Sequence, residues 1–459
     1  MKKQLYAILF LSLLLSSCTL YRKPEVPTLN IPEHFKTKSN VKLNKQWWKN
    51  FYDKKLNQLV DTAVKNNSSY LVALKNIQIA STYVTQNESA LYPQANMNFN
   101  STRNKTSPDL FNQTGGTHIY DLQQLTGSVS YEVDVWNQIR NSVKQAEANQ
   151  ASAAAASEVI RLSLITSVVD TYFQLMTMKA NIYNLKQQYQ SANQIVHLTQ
   201  NQFKSGMTDA STLETVKNQA ETIKINLINL RKQEQILKYT LAYLLGEYPE
   251  RFHIVINKNI QTLKMTHLVP AGIPSVMVAH RPDIQEAYQQ ILAFGYLTKQ
   301  NIANFLPAIN LTGNYGYADT ALSTLISSAN SYWSYGVYIT QFVFDYQSRM
   351  SAYRLSKYQY ESAIISYRDT VLNAFKEVDS ALISYQKDNE AFNAAHARVI
   401  SSQALSKLYH AQYQSGVGDY PPYLTARLTD LQSRYSMNAQ KLLVLEDVMQ
   451  VYKALGLGF

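Results

Sequence analysis

The sequence predicts an α+β membrane protein. Its fold is an oligomeric transmembrane β-barrel with four strands per chain, continued by a long α-helical coiled-coil barrel and built by internal structural duplication. Three observations predict it. Residues 87–246 and 303–456 read as two copies of one unit, a pair of alternating strands followed by two very long helices. Short landmarks keep the copies in register: Leu91-Tyr92-Pro93 with Phe305-Leu306-Pro307, Phe203-Lys204-Ser205-Gly206 with Tyr413-Gln414-Ser415-Gly416, and Leu244-Leu245-Gly246 with Ala454-Leu455-Gly456. They stay roughly 210 positions apart, as a duplication requires. The third observation is a secretion signal, which tips the strand pattern toward membrane over a soluble sheet with one wet face.

The signal occupies residues 1–17: Lys2-Lys3, an apolar run from Leu5 to Leu15, then Ser16-Ser17 before Cys18. Cys18 is the single cysteine of the chain, so it has no internal disulfide partner. The ending Leu15-Ser16-Ser17-Cys18 resembles a bacterial lipobox, and acylation of Cys18 accounts for a lone thiol in an exported chain. An uncleaved signal anchor with an incidental cysteine is the alternative. Thr19 stands where lipoproteins kept at the inner membrane usually carry Asp, so the resemblance implies the outer membrane and its lipid.

Elsewhere the chain is 46% apolar but has a negative mean hydropathy, and no internal helix is expected to be apolar enough to cross a bilayer. The formal charge of +11 is scattered among Gln, Asn and Tyr with no basic stripe, which excludes nucleic acid as a partner and reads as a solvated surface. The 33 tyrosines fit membrane interfaces and polar-lined channels.

Residues 18–46, with Pro24, Pro27 and Pro32, read as a lipidated extended tether that wraps without packing. Residues 47–92 read as a helix, with Phe51, Leu56, Leu59, Ala63, Leu71 and Leu74 on recurring faces up to Pro93. The first strand pair spans 93–136. Ala95, Met97 and Phe99 alternate with asparagines, and Leu125, Val129, Tyr131, Val133 and Val135 alternate with Thr126, Ser128, Ser130, Glu132 and Asp134. The second pair spans 307–344, where Ile309, Leu311, Tyr315 and Tyr317 oppose Asn310, Thr312 and Asn314, and Trp333, Tyr335, Val337 and Ile339 oppose Ser334, Gly336 and Thr340. Runs of about 10 residues suit a tilted strand crossing a bilayer. Four strands leave open edges that lipid does not tolerate, so the chain must oligomerise; two, three or four copies all satisfy the geometry.

Long helical hairpins fill 137–246 and 345–456. Neither Pro nor Gly interrupts 137–202 or 347–414, stretches long enough for helices of about 100 Å. Near-heptad spacing marks the return helices: Leu213, Val216, Ala220, Ile223, Leu227, Leu230, Leu237, Leu241 and Leu244, then Leu424, Leu428, Leu431, Tyr435, Leu442, Leu445, Met449 and Tyr452. Gly206 and Gly416 mark the hairpin tips. Residues 247–273 form an insert, and 274–306 hold the helix of the second repeat, opened by Arg281-Pro282-Asp283-Ile284 with Asp283 placed to favour the helix dipole.

With Cys18, Trp47-Trp48, Phe51, Asp53, Pro93, Arg281-Pro282-Asp283-Ile284, Pro307, Tyr413-Gln414-Ser415-Gly416 and Ala454-Leu455-Gly456 in this order, nearly the whole mature chain resembles the TolC-like outer-membrane efflux factors, in their lipidated branch. The resemblance implies a homotrimer, with a barrel in the outer membrane and a helical tunnel across the periplasm. It implies two further partners, a periplasmic adaptor that grips the helical tips and an inner-membrane efflux transporter. The adaptor contacts would be Ser205, Gly206, Met207, Ser415, Gly416 and Val417. In the family, inward acidic residues beside an arginine close the periplasmic end. Here the aligned positions fall near Pro422 and Thr425, which carry no charge, so the gate candidates are Asp419, Thr425, Arg427 and Asp430. If the pore opens at one tip, the second, with its prolines, is expected to be the one.

The function expected is a passive exit duct for small molecules, with no catalytic residues, no metal and no cofactor. The eight histidines show no metal-ligand spacing, and nucleophile motifs and glycine-rich phosphate loops are lacking. A duct for type I protein secretion would have the same walls. A structural coiled-coil spacer or adhesin explains the long helices but not the duplicated strand pairs with polar faces.

Overall fold

The computed structural model describes residues 23–27, 46–106, 118–256, 258–263 and 280–457; Cys18, the signal segment 1–17, most of the tether and the second half of the insert lie outside them. Among the described residues the regular elements are α1 (Lys54–Asn66), α2 (Ser68–Glu88), β1 (Gln94–Thr106), β2 (His118–Glu132), α3 (Gln138–Lys204), α4 (Ala210–Leu244), α5 (Pro282–Ala303), β3 (Ala308–Asp319), β4 (Ser331–Thr340), α6 (Tyr346–Gln414) and α7 (Tyr420–Ala454). Helices α3 and α6 hold 67 and 69 residues, the length expected from their uninterrupted sequence. The chain forms two compact units.

The first unit takes in residues 76–154 and 286–368 and contains the sheet. Its strands pair antiparallel in the order β1-β2-β3-β4. Residue Asn98 faces Thr126, Thr126 faces Gly316, and Thr312 faces Gly336. The β2–β3 pairing therefore joins the two sequence copies, while β1 and β4 each keep an unpaired edge within this chain. Exposed Trp333 and Tyr335 stack with centroids 5.6 Å apart.

The alternation read through Val135 overshoots. Strand β2 ends at Glu132, and the Asp134 carboxylate turns to accept from the Ile139 and Arg140 backbone N–H groups at 3.0 and 2.9 Å, satisfying donors that the first turn of α3 leaves open. The tether also departs from expectation, because residues 23–27 pack. Pro24 is buried against Gly295 of α5, where an added Cβ would lie 2.4 Å from the proline ring. The Tyr360 hydroxyl donates to the Glu25 carbonyl, Lys23 Nζ donates to the Tyr288 hydroxyl at 2.7 Å, and Val26 joins Ala148, Leu292 and Ala293.

The second unit takes in residues 46–75, 155–285 and 369–457 where described. Trp47, Trp48 and Phe51 lie in a 3-10 turn and are buried with Phe173 and Tyr452. Asp53 caps α1 through the Lys55 and Leu56 N–H groups and accepts from the Tyr172 hydroxyl at 2.9 Å. Residues 47–92 are thus not one helix. Left-handed Tyr52 separates the 3-10 turn from α1, and extended Asn67 separates α1 from α2, its Oδ1 accepting from Tyr70 N–H at 3.1 Å. The run Asn66-Asn67-Ser68-Ser69 carries that cap signal. One helix also contradicts the hydropathy expectation. Part of α3 is apolar and uncharged enough to cross a bilayer by length and composition, a local run that the chain average hides. Its Ile165, Val168, Val169, Phe173 and Met176 are buried in this unit.

The heptad positions of α4 and α7 are all buried or half-buried, whereas Ile225, Ile228 and Ile236, off the seam of α4, are exposed. All four hairpin helices end on a left-handed glycine: Gly206, Gly246, Gly416 and Gly456, with φ of 70°, 71°, 72° and 67°. At each, the next residue's N–H reaches back five positions, as from Met207 to the Gln202 carbonyl and from Val417 to Gln412, the Schellman closure. The ends at Gly246 and Gly456 have a further clasp. The Asn67 side chain donates to the Leu244 carbonyl at 3.0 Å, and its counterpart Arg281 donates to the Ala454 carbonyl at 2.6 Å. Space separates the two glycine pairs: a Cβ on Gly206 meets nothing within 4 Å, whereas one on Gly246 falls 2.5 Å from the Asn66 carbonyl oxygen. Gly206→Ala is expected to cost about 1–2 kcal/mol from the left-handed backbone alone. Gly246→Ala should cost more, and thermal unfolding of the two variants in detergent measures the difference.

Candidate functional site: the hairpin tips and the start of the second return helix

Both tips are open to solvent. Met207 and Val417 are 78% and 83% exposed, and the Ser205 and Ser415 hydroxyls fold back onto the Asn201 and Gln412 carbonyls. Capping separates the two. Asp209 accepts from Thr212 N–H at 2.7 Å and from the Ser211 hydroxyl at 2.9 Å, and these bonds hold its carboxyl below the ordinary carboxylate range. Asp419 is its counterpart but makes no cap bond. The reason lies in the sequence. A cap carboxylate takes the N–H of the second or third helical residue, and those residues here are Pro421 and Pro422, which have none.

Downstream, helix α7 is tied to its neighbours inside the chain. Arg427 donates to the Gln187 side-chain oxygen on α3 at 3.4 Å and to the Tyr423 hydroxyl at 3.2 Å. The Tyr420 hydroxyl donates to the Gln194 side-chain oxygen at 3.3 Å. Tyr413, Tyr420, Tyr423 and His410 form a chain of ring contacts with centroids 4.6–5.8 Å apart. Asp430 is 8% exposed, accepts from Arg434 Nε at 3.1 Å and lies 3.5 Å from the Ser402 hydroxyl of α6. Thr425 is exposed, and its carbonyl accepts from the Thr429 hydroxyl. Of the four sequence candidates, Arg427 and Asp430 are thus engaged with neighbouring helices, while Asp419 and Thr425 face outward. The sequence marks Tyr413 as a landmark of the tip but does not single out Tyr420, Tyr423, Gln187 or Gln194; the spacing Tyr413, Tyr420, Tyr423 around a tip was the available signal.

Further along α7, Glu446 and Asp447 lie among acids from two other helices, Asp170 of α3 and Asp388 of α6. Burial, followed by the charge of Asp170, pushes the Glu446 carboxyl up to about 7. Burial, followed by hydrogen bonding and repulsion from Asp388, pushes Asp447 up to about 7. Folded-state values raised above the unfolded ones mean that the folded chain binds more protons between about pH 4 and 7. This contribution to stability is full below about pH 4 and is lost as pH rises through 7. The unfolding temperature in detergent is expected to fall between pH 5 and 8, and Glu446→Gln with Asp447→Asn should flatten that dependence.

The geometry is accompanied by likeness to known proteins. A family model described as "Outer membrane efflux protein" matches residues 59–247 and 273–457, in two stretches as the duplication divides the chain. Among curated proteins, the "Probable efflux pump outer membrane protein TtgC" of Pseudomonas putida is 25% identical over 470 residues, covering 100% of this chain and 96% of its own. The "Toxin and drug export protein A" of Aggregatibacter actinomycetemcomitans is 24% identical over 429 residues, covering 93% and 91%. Among solved structures, the Campylobacter jejuni CmeC outer membrane channel superposes with a TM-score of 0.86 at 26% identity, covering 95% of each chain.

Proposed function

From the premise that this chain belongs to the outer membrane efflux protein family, we propose that three copies close one passive duct, through which small molecules from an inner-membrane transporter and a periplasmic adaptor leave the cell. The chain is an outer-membrane efflux channel. The observation that carries the closure is the sheet: four strands of 10–15 residues, with β1 and β4 unpaired at its two edges. Backbone groups on such edges find no partner in lipid, and pairing β1 of one copy with β4 of the next satisfies them. In this reading Cys18 carries the lipid anchor, and Ser205, Gly206, Met207, Ser415, Gly416 and Val417 meet the adaptor. The gate lies at the start of α7, around Asp419, Thr425, Arg427 and Asp430.

Electron microscopy of the detergent-solubilised protein should show three copies around one axis, and purified protein in planar bilayers should give discrete conductance steps. A monomer without conductance, even after the tips are disrupted, would overturn the proposal. Protein cargo is a second reading, favoured by the relative named for toxin export. Deleting the gene separates them: heightened sensitivity to dyes and antibiotics supports small molecules, and loss of a secreted protein with unchanged sensitivity supports the other.

A further inference from the structure

Away from the tips and the proposed gate, the second unit holds an open-sided cavity of about 320 Å³. Its walls come from α3 (Met176, Lys179, Ala180, Tyr183, Asn184), from the insert (Lys258, Asn259, Gln261) and from α7 (Arg434). The insert wall is fixed: Lys441 Nζ donates to the Gln261 and Leu263 carbonyls at 3.0 and 2.8 Å, and the Gln261 side chain donates to Asn438 at 3.1 Å.

Three cations share this space, and their pairing is unequal. Lys258 has Asp53 at 3.6 Å, and Arg434 has Asp430 at 3.1 Å. Lys179 donates to the Ile256 carbonyl and has no carboxylate partner among the described residues. On the same α3 wall Asn184 is 5% exposed, and its Nδ2 has no hydrogen-bond partner among them. A buried donor left unmade destabilises the fold, because its hydrogen bond to water is lost and not replaced. A surplus positive charge and an orphan donor on one wall call for the same thing, an anionic oxygen. Met176, Ala180 and the Tyr183 ring supply an apolar surface next to them, and the volume lies at the lower end of small-molecule sites, about 300–1,000 Å³.

We propose that this cavity binds a small organic anion, its carboxylate or phosphate head held by Lys179 and Asn184 and its apolar body against Met176, Ala180 and Tyr183. The site is separate from the tips and stands on its own geometry, independent of which cargo the duct carries. Arg434 links it to Asp430, so an occupant that draws on the guanidinium competes with the carboxylate that holds it.

Calorimetric titration of the full-length, detergent-solubilised protein with hexyl phosphate, with inorganic phosphate and hexanol as comparisons, tests this. Saturable binding of hexyl phosphate is expected, tighter than inorganic phosphate, with none for hexanol. Lys179→Gln and Asn184→Leu should each weaken it about tenfold or more, the loss of one hydrogen bond to a charged group. Asn184→Leu should also raise the unfolding temperature without ligand, since it removes the orphan donor. No saturable binding at millimolar hexyl phosphate, equal affinity for inorganic phosphate, or unchanged binding in both variants would overturn the proposal.

Discussion

The double variant Tyr420→Phe, Arg427→Leu is expected to conduct far more often than the parent, its open fraction in planar bilayers rising roughly thirtyfold. The two side chains provide the Tyr420–Gln194 and Arg427–Gln187 hydrogen bonds that fasten the first turns of α7 to α3. Each such bond contributes about 1 kcal/mol, and about 2 kcal/mol together moves a two-state equilibrium by about that factor. Either single change should give a part of the effect. Asp209→Ala is the matched control at the other tip. It removes the helix cap but releases no contact between α7 and α3, so conductance should stay at the parent's level. Parent-like conductance of the double variant would place the gate elsewhere.

Trp47→Ala should give the largest loss of stability, about 3–5 kcal/mol, because the side chain is fully buried and its removal leaves a cavity. The indole stacks on Tyr452 at 5.3 Å and meets the edges of Trp48 and Phe51 at 6.0 and 6.4 Å, so the change loosens the end of α7 together with the segment that precedes α1. Trp47→Phe should cost much less. The Trp47 Nε1 is buried with no partner among the described residues, and phenylalanine keeps most of the apolar contact without that orphan donor. Unfolding followed by circular dichroism at fixed detergent ranks the three proteins, and equal losses for Phe and Ala would show that the indole's contacts are not the cause.

The large elements were legible because their signals are long. A run of some 65 residues without Pro or Gly can hardly be anything but helix, and a heptad seam over 35 residues survives any single exception. The sheet was legible in its alternation, and its edges followed from strand count. Boundaries depended on single side chains acting across the chain. Asp134 continues the strand pattern in sequence but caps α3, and Asn67 caps α2 through Tyr70 N–H while its amide also bonds a carbonyl 177 positions away. The start of α7, the proposed gate, was half legible. The prolines that deprive Asp419 of cap donors are visible in the sequence, yet Gln187 and Gln194 become partners of α7 only when α3 lies beside it. The cavity around Lys179 was not legible at all, since its walls come from three separate segments and its signal is the missing partner of Asn184.

The seat of residues 23–27 bears on the order in which the molecule assembles. Lys23 meets Tyr288, and Glu25 meets Tyr360, over separations of 265 and 335 positions. During vectorial export and synthesis, the strap emerges long before α5 and α6 exist to receive it. Contacts so distant form late, because a large loop must close first. Until then the notch at Gly295 stays open, and an assembling chain can be told from a finished one by whether that notch is filled.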